Sequence, residues 1–202
     1  MRIKTRDMTL IALFTVLAVI GGKIVIPVLA IPFTLQTAVC LVTGLLLGWR
    51  RALLAQGLYL VMGLLGLPVF AAGGGPAYVL QPSFGYLPGM LLAAGLVGYL
   101  ADRLDPSRER ARRWQLLLVH LAGLAIVYGC GVTYLYLIKT VYSGQPFTLL
   151  RALQVGMLPY LISDGTYAVL LALAGPGLRR ATRSFLPGGT NARLTASKQD
   201  KD

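Results

Sequence analysis

The sequence predicts an all-α membrane protein: a bundle of six transmembrane helices, both termini cytoplasmic, with a Gly/Pro-rich outer loop between helices 3 and 4. Three observations carry that expectation. Hydrophobic residues make up 56% and charged residues 13% of the 202-residue chain, against roughly 25% charged in a soluble domain; mean hydropathy is +0.69. Basic residues punctuate long apolar runs instead of interleaving with exposed aromatics, so the formal charge of +12 speaks for membrane topology and against nucleic acid. Finally, the stretch 66–86 carries no charge but holds Pro68, Pro76, Pro82 and the run Gly73-Gly74-Gly75, which excludes a continuous helix there.

The first run, 8–26, follows Arg2, Lys4 and Arg6 and ends without a small-residue cleavage pattern, so it is expected to remain as a helix. Runs 35–48 and 52–65 are short for spans. Arg50 and Arg51 between them resist burial, which favours two spans around a hairpin tip over a re-entrant pair. Runs 84–101, 116–142 and 149–173 complete the six. Residues 1–178 are thus read as the six-helix membrane domain, and 179–202 as a basic, disordered cytoplasmic tail. With the N-terminus inside, the basic clusters around residues 2–6, 50–51, 103–113 and 179–201 are all cytoplasmic; only Lys23, Lys139 and Arg151 fall on or near the outer side. The stretch 66–86 then faces out. Non-helical backbone beside lipid must be buried in protein or line a cavity, so this stretch is read as the wall and lid of a ligand pocket.

Small residues four apart, Ala18 with Gly22, Gly44 with Gly48 and Gly85 with Gly89, let helix backbones approach closely in lipid. Packing within the bundle is the expectation, with the first helix free to dock a partner subunit.

Several chemistries are excluded. Walker and Gly-x-Ser-x-Gly patterns are missing, so neither ATP binding by this chain nor serine hydrolysis is expected, and the chain is not read as an enzyme. Cys40 and Cys130 have no metal or disulfide spacing, and His120 stands in an apolar run as a packed residue. No metal and no cofactor are expected.

Six of the seven acidic residues lie at the termini or in the loop after the fourth span; Asp164 alone stands inside the last span. A carboxylate at that depth costs about 2.5–3.5 kcal/mol and should face the bundle interior with a partner. Either it fixes the bundle through a backbone amide or a tyrosine, or it accepts hydrogen bonds from a ligand bearing N–H donors. Tyr160, Ser163, Thr166 and Tyr167 flank it, and Tyr128, Tyr134 and Tyr136 lie on the preceding span; such aromatics suit a pocket for a compact, partly apolar ring. Before the second span, Thr34 is a candidate helix cap, and Gln36 and Thr37 open onto either pocket or water.

The segments Pro32-Phe33-Thr34-Leu35-Gln36-Thr37, Gly44-Leu45-Leu46-Leu47-Gly48, Tyr59-Leu60, Gly66-Leu67-Pro68-Val69-Phe70-Ala71-Ala72-Gly73-Gly74-Gly75 and Pro82-Ser83-Phe84-Gly85-Tyr86, in this order, resemble the BioY family. Those proteins are the biotin-binding S components of energy-coupling factor vitamin transporters in the cell membrane. The resemblance implies that biotin, as transported ligand, is held near the outer face. Asp164 would accept from its ureido N–H groups, with Tyr167 as orienter, while Phe70, Tyr86 and the backbone of Gly73, Gly74 and Gly75 close over the thiophane and Gln36 adds a polar contact. It also implies a transmembrane coupling subunit and two cytoplasmic ATPases as partners, docked on a first-helix face that here reads Ala12, Thr15 and Val16. The chain departs from the family in four places: Tyr167 replaces a common lysine, Leu87 an arginine and Gly74 an asparagine, and Gln81-Pro82-Ser83-Phe84-Gly85-Tyr86 stands where the family has Gly-Pro-Thr/Ser-Gly-Gly-Tyr. Either Lys23, Lys139 or Arg151 meets the ligand carboxylate, or that group reaches water, or specificity has drifted. Two alternatives stand beside this reading: an S component for another vitamin or a biotin precursor, and a structural or channel-like membrane protein.

Overall fold

In the computed structural model, the residues described are 5–26, 33–144 and 146–183. Arg2, Lys4, Pro32 and residues 184–202 of the expected tail lie outside them. Seven α-helices and a two-stranded antiparallel sheet form the described fold: α1 Thr5–Lys23, β1 Val25–Ile26, β2 Phe33–Thr34, α2 Gln36–Leu47, α3 Trp49–Leu64, α4 Tyr86–Leu104, α5 Arg113–Leu137, α6 Leu149–Gly156 and α7 Leu158–Thr182. A π turn, Ile138–Tyr142, prolongs α5. Four helices are long and apolar enough to cross a membrane, namely α1, α4, α5 with its extension, and α7; α2 is a shorter apolar helix.

Two expectations are corrected here. The sixth run is two helices, because Pro159 at the second position of α7 has no N–H with which to continue the ladder of α6. And α7 runs on to Thr182, past the expected start of the tail at 179, because Arg179 is a buried residue of the bundle. Between α2 and α3 the chain turns at Gly48, whose φ of +75° a residue with a Cβ adopts only under strain.

The main core lies where α2, α4, α5 and α7 meet, around Leu41, Leu45, Val97, Leu116 and Val127. A second cluster, Ala18, Tyr59, Val69, Phe70 and Tyr78, fills the space beneath the 66–85 loop. The small residues sit at the close approaches: a Cβ on Gly44 would meet Ala94 O and Val97, and one on Gly89 would meet Val127 and Cys130 of α5 at 3.1–3.2 Å. These faces are internal, as close helix packing requires.

At the end of the bundle away from that loop, Arg179 of α7 holds three other segments together. Its Nη1 donates to Leu45 O at 3.0 Å, and its Nη2 reaches Ala101 O, Asp102 Oδ1 and Asp105 O at 3.1, 3.1 and 2.8 Å. Arg108 donates to Leu46 O at 2.7 Å and to the same Asp102 Oδ1 at 3.1 Å. Burial lowers the Arg108 pKa from its ordinary value, and the neighbouring Asp102 carboxylate opposes that shift. The carboxylate of Asp105 accepts from Ser107 Oγ and from the amides of Glu109 and Ala111, folding the loop back beneath α4.

Arg179→Met should therefore destabilise the protein by about 3–5 kcal/mol, since it leaves buried acceptors without a donor. Arg179→Lys should recover only part, because an ammonium cannot span the same fork of acceptors. Thermal unfolding in detergent measures both; an unshifted midpoint for the methionine variant contradicts the assignment.

Candidate ligand-binding site

Asp164 lies one turn beyond Tyr160 on α7 and is 4% exposed. The neighbouring polar residues of that helix are satisfied locally: Ser163 Oγ donates to Tyr160 O at 2.9 Å and Thr166 Oγ1 to Ile162 O at 2.7 Å. Asp164 is different. Tyr128 of α5 donates its hydroxyl to Asp164 Oδ2 at 2.6 Å, while the buried Oδ1 has no hydrogen-bond partner among the described residues. Half of the carboxyl group is fixed by the bundle, and the other half is left for a donor from elsewhere.

Asp164 is one of the residues lining a cleft whose space, counted together with the open solvent at its mouth, is about 590 Å³. Four parts of the chain line it. β2 and the start of α2 supply Thr34, Gln36 and Thr37; the loop supplies Ala71, Tyr78 and Ser83; α4 supplies Tyr86, Leu87 and Met90; and α5 and α7 supply Val127, Tyr128, Tyr160 and Asp164. Gln36, 3% exposed, accepts at Oε1 from Tyr59 Oη at 3.3 Å, and its buried Nε2 has no partner among the described residues. The cleft thus pairs an acceptor on α7 with a donor on α2, in walls that are otherwise aromatic and aliphatic. Such a site suits a ring carrying both N–H and C=O groups.

The 66–85 loop keeps its shape through a dense set of bonds. Phe70 and Gly73 exchange backbone hydrogen bonds at 2.9 and 3.2 Å, and Gly75 N donates to Gly63 O at 2.7 Å. Lys23 Nζ donates to Phe70 O at 2.9 Å, and Tyr134 of α5 donates its hydroxyl to Val79 O. The Phe70 ring, fully buried, packs against Tyr59 and Tyr78 at centroid distances of 5.4 and 4.6 Å. Gly63 lies beneath that ring, where a Cβ would overlap it.

The sequence-predicted residues divide accordingly. Asp164, Gln36 and Tyr86 line the cleft, and Tyr86 Oη also donates to Gly156 O at 2.7 Å, tying α4 to α6. Phe70, Gly73, Gly74 and Gly75 shape the loop and lie outside the lining; Ala71, Tyr78 and Ser83 line it in their place. Tyr167 is half-buried outside the lining, and the hydroxyl that donates to Asp164 Oδ2 is that of Tyr128. Lys139 and Arg151 also lie outside the lining, on the π turn and on α6. Thr34 pairs with Val25 in the sheet and does not cap α2, whose N-cap is Leu35. On α1, Ala12 and Val16 face outward, whereas Thr15 turns inward and donates to Ile11 O and Ala55 O at 2.8 and 3.1 Å. Thr15 therefore leaves the expected docking face. His120 is fully buried in the bundle.

Sequence reasoning named Tyr128 among several tyrosines without selecting it. Met90 and Val127, single apolar residues inside apolar runs, carried no signal. An (i, i+3/i+4) search across α5 and α7 could have favoured Tyr128, since it shares an α5 face with buried Leu124 and Val132.

Residues 1–184 match the family model described as the BioY family. A Lysinibacillus sphaericus protein named "Probable biotin transporter BioY" is 37% identical over 89% of this chain and 90% of its own length. "Biotin transporter BioY" of Thermotoga maritima is 34% identical over 87% of this chain and 96% of its own length. Among solved structures, one titled as the S-component for biotin from an ECF-type ABC transporter superposes with a TM-score of 0.73 at 27% identity, covering 89% of this chain and 95% of that one.

Gly63→Ala should push the Phe70 ring off its seat and loosen the loop. Hydrogen exchange at the Phe70 and Gly75 amides should quicken by about tenfold or more while α5 stays protected. Unchanged protection at those amides contradicts the described packing.

Proposed function

The chain belongs to the BioY family, and from that premise we propose that it is the biotin-binding S component of a vitamin uptake transporter of the energy-coupling factor type. The observation that carries the proposal is the buried Asp164, a residue of the cleft lining whose Oδ1 has no partner among the described residues. Biotin's ureido head offers two N–H donors and one carbonyl. Asp164 accepts from the N–H side, with its other oxygen held by Tyr128; Gln36, on the part of the lining formed by α2, donates to the carbonyl through Nε2. Tyr78, Tyr86, Met90 and Val127 supply apolar surface for the thiophane and the aliphatic chain.

In the membrane the chain crosses six times, through α1 to α5 and α7, with α6 lying short at the outer end. The cleft opens outward, and the Arg179–Asp102–Arg108 cluster together with both termini lies on the cytoplasmic side, in line with the basic residues concentrated there. Transport then needs a partner: this chain supplies the ligand site, and a transmembrane coupling subunit with two cytoplasmic ATPases supplies energy. The outward pair Ala12 and Val16 on α1 is the face offered to that coupling subunit. The residue set does not suggest chemistry on the ligand; the cleft binds and releases it unchanged.

Equilibrium binding of radiolabelled biotin to the detergent-purified protein tests this directly. The expected dissociation constant is well below about 1 μM, as scavenging requires, and Asp164→Asn should weaken it by at least about 30-fold through loss of a charge-assisted acceptor. No binding to the unaltered protein at micromolar ligand, or unaltered affinity in the asparagine variant, contradicts the reading.

A further inference from the structure

A biotin molecule held by its ureido head at Asp164 carries a carboxylate at the far end of its chain, and none of the residues lining the cleft is a lysine or arginine. Away from the cytoplasmic cluster, the described chain has three cations to offer: Lys23, Lys139 and Arg151. Among the described residues, neither Lys139 nor Arg151 directs its side chain into a hydrogen bond with a wall of the cleft. Lys23 does reach the loop.

It closes the last turn of α1, and its Nζ donates to Phe70 O at 2.9 Å, one residue before the lining residue Ala71. The residue before it, Gly22, packs so closely on the lining residue Gln36 that a Cβ there would lie 3.1 Å from Gln36 Oε1. Lys23 thus bonds the residue next to Ala71 in the loop and directly follows a residue packed on Gln36 of α2, which sets it beside two walls of the cleft. Its side chain is exposed, and an ammonium has three N–H donors of which the Phe70 carbonyl takes one. A carboxylate is a stronger acceptor than a carbonyl, so an anionic group arriving at the mouth can recruit the remaining donors without breaking the loop contact.

Building on the biotin reading of the cleft, we propose that Lys23 is the cation that meets the ligand's carboxylate, so that it sets the preference for the free acid over a neutral ester or amide of the same ring. Lys23 thereby acts twice, anchoring the loop through Phe70 and selecting the charged tail.

Displacement of radiolabelled biotin by unlabelled biotin and by biotin methyl ester, on purified full-length protein and its Lys23→Met and Lys23→Arg variants, tests this. The unaltered protein should prefer the free acid by about tenfold. Lys23→Met should weaken biotin about tenfold more than it weakens the ester, so that the preference is lost, and Lys23→Arg should keep the preference. Equal weakening of both ligands in Lys23→Met makes Lys23 a loop anchor only and overturns the proposal, as does an unaltered protein that binds acid and ester alike. Loss of the preference in Lys139→Met or Arg151→Met, with Lys23→Met retaining it, moves the charge contact elsewhere and also overturns it. Failure of both ligands to bind the unaltered protein at micromolar concentration instead refutes the reading of the cleft itself, and the Lys23 proposal falls with it.

Discussion

A carboxyl group buried among apolar helices is tolerated only when its oxygens are answered, and the Tyr128–Asp164 hydrogen bond answers one of them. The arrangement depends on the way α5 and α7 pack. α7 can bring Asp164 inward only because the chain breaks after Gly156 and restarts at Leu158, and Tyr86, bonded to Gly156 O, holds that break against α4. Positioning of the acid, closure of the cleft and the short α6 are thus one packing problem. A carboxylate with one oxygen fixed by a tyrosine and the other open is pre-oriented, so an arriving N–H donor finds its acceptor already placed.

The two ends of the bundle are built differently, and the difference suits a protein that binds at one end and couples at the other. Near the cleft, the irregular 66–85 segment is held by uncharged backbone and hydroxyl hydrogen bonds to α3 and α5, by the Lys23 contact from α1 and by the buried Phe70 ring. At the opposite end, two arginines, two aspartates and four helix-end carbonyls lock α2, α4 and α7 with charged groups. The first set can be exchanged bond by bond; the second leaves buried charges unpaired if it opens, so it resists opening.

Much of the fold was legible because hydropathy and charge act over whole segments. The runs that became α1, α4 and α5, the loop between α3 and α4, and the isolation of Asp164 all follow from composition over many residues. The division into α6 and α7 hinged on one proline in an apolar run, and the sequence pattern read across it. Arg179 looked like the first charge of a tail because five further basic residues follow within 22 positions; only the packed helix ends reveal the carbonyls it satisfies. In the site, Asp164, Gln36 and Tyr86 stood out because each breaks an apolar or glycine-rich context. Glycines 73–75 stood out for the same reason, yet their backbone serves the turn around Phe70. Choosing Tyr128 over Tyr167 requires knowing which face of α7 meets α5, which no single-helix pattern encodes.

The central claim is that Asp164 receives the ligand's N–H donors through the oxygen that Tyr128 leaves free. A structure of the protein with biotin bound, at a resolution that orients the ureido ring, tests it most directly. The account predicts a ureido nitrogen within about 3.2 Å of Asp164 Oδ1, with the Tyr128 contact to Oδ2 retained. Biotin seated with its ureido ring away from Asp164, or bound outside the cleft, would contradict it.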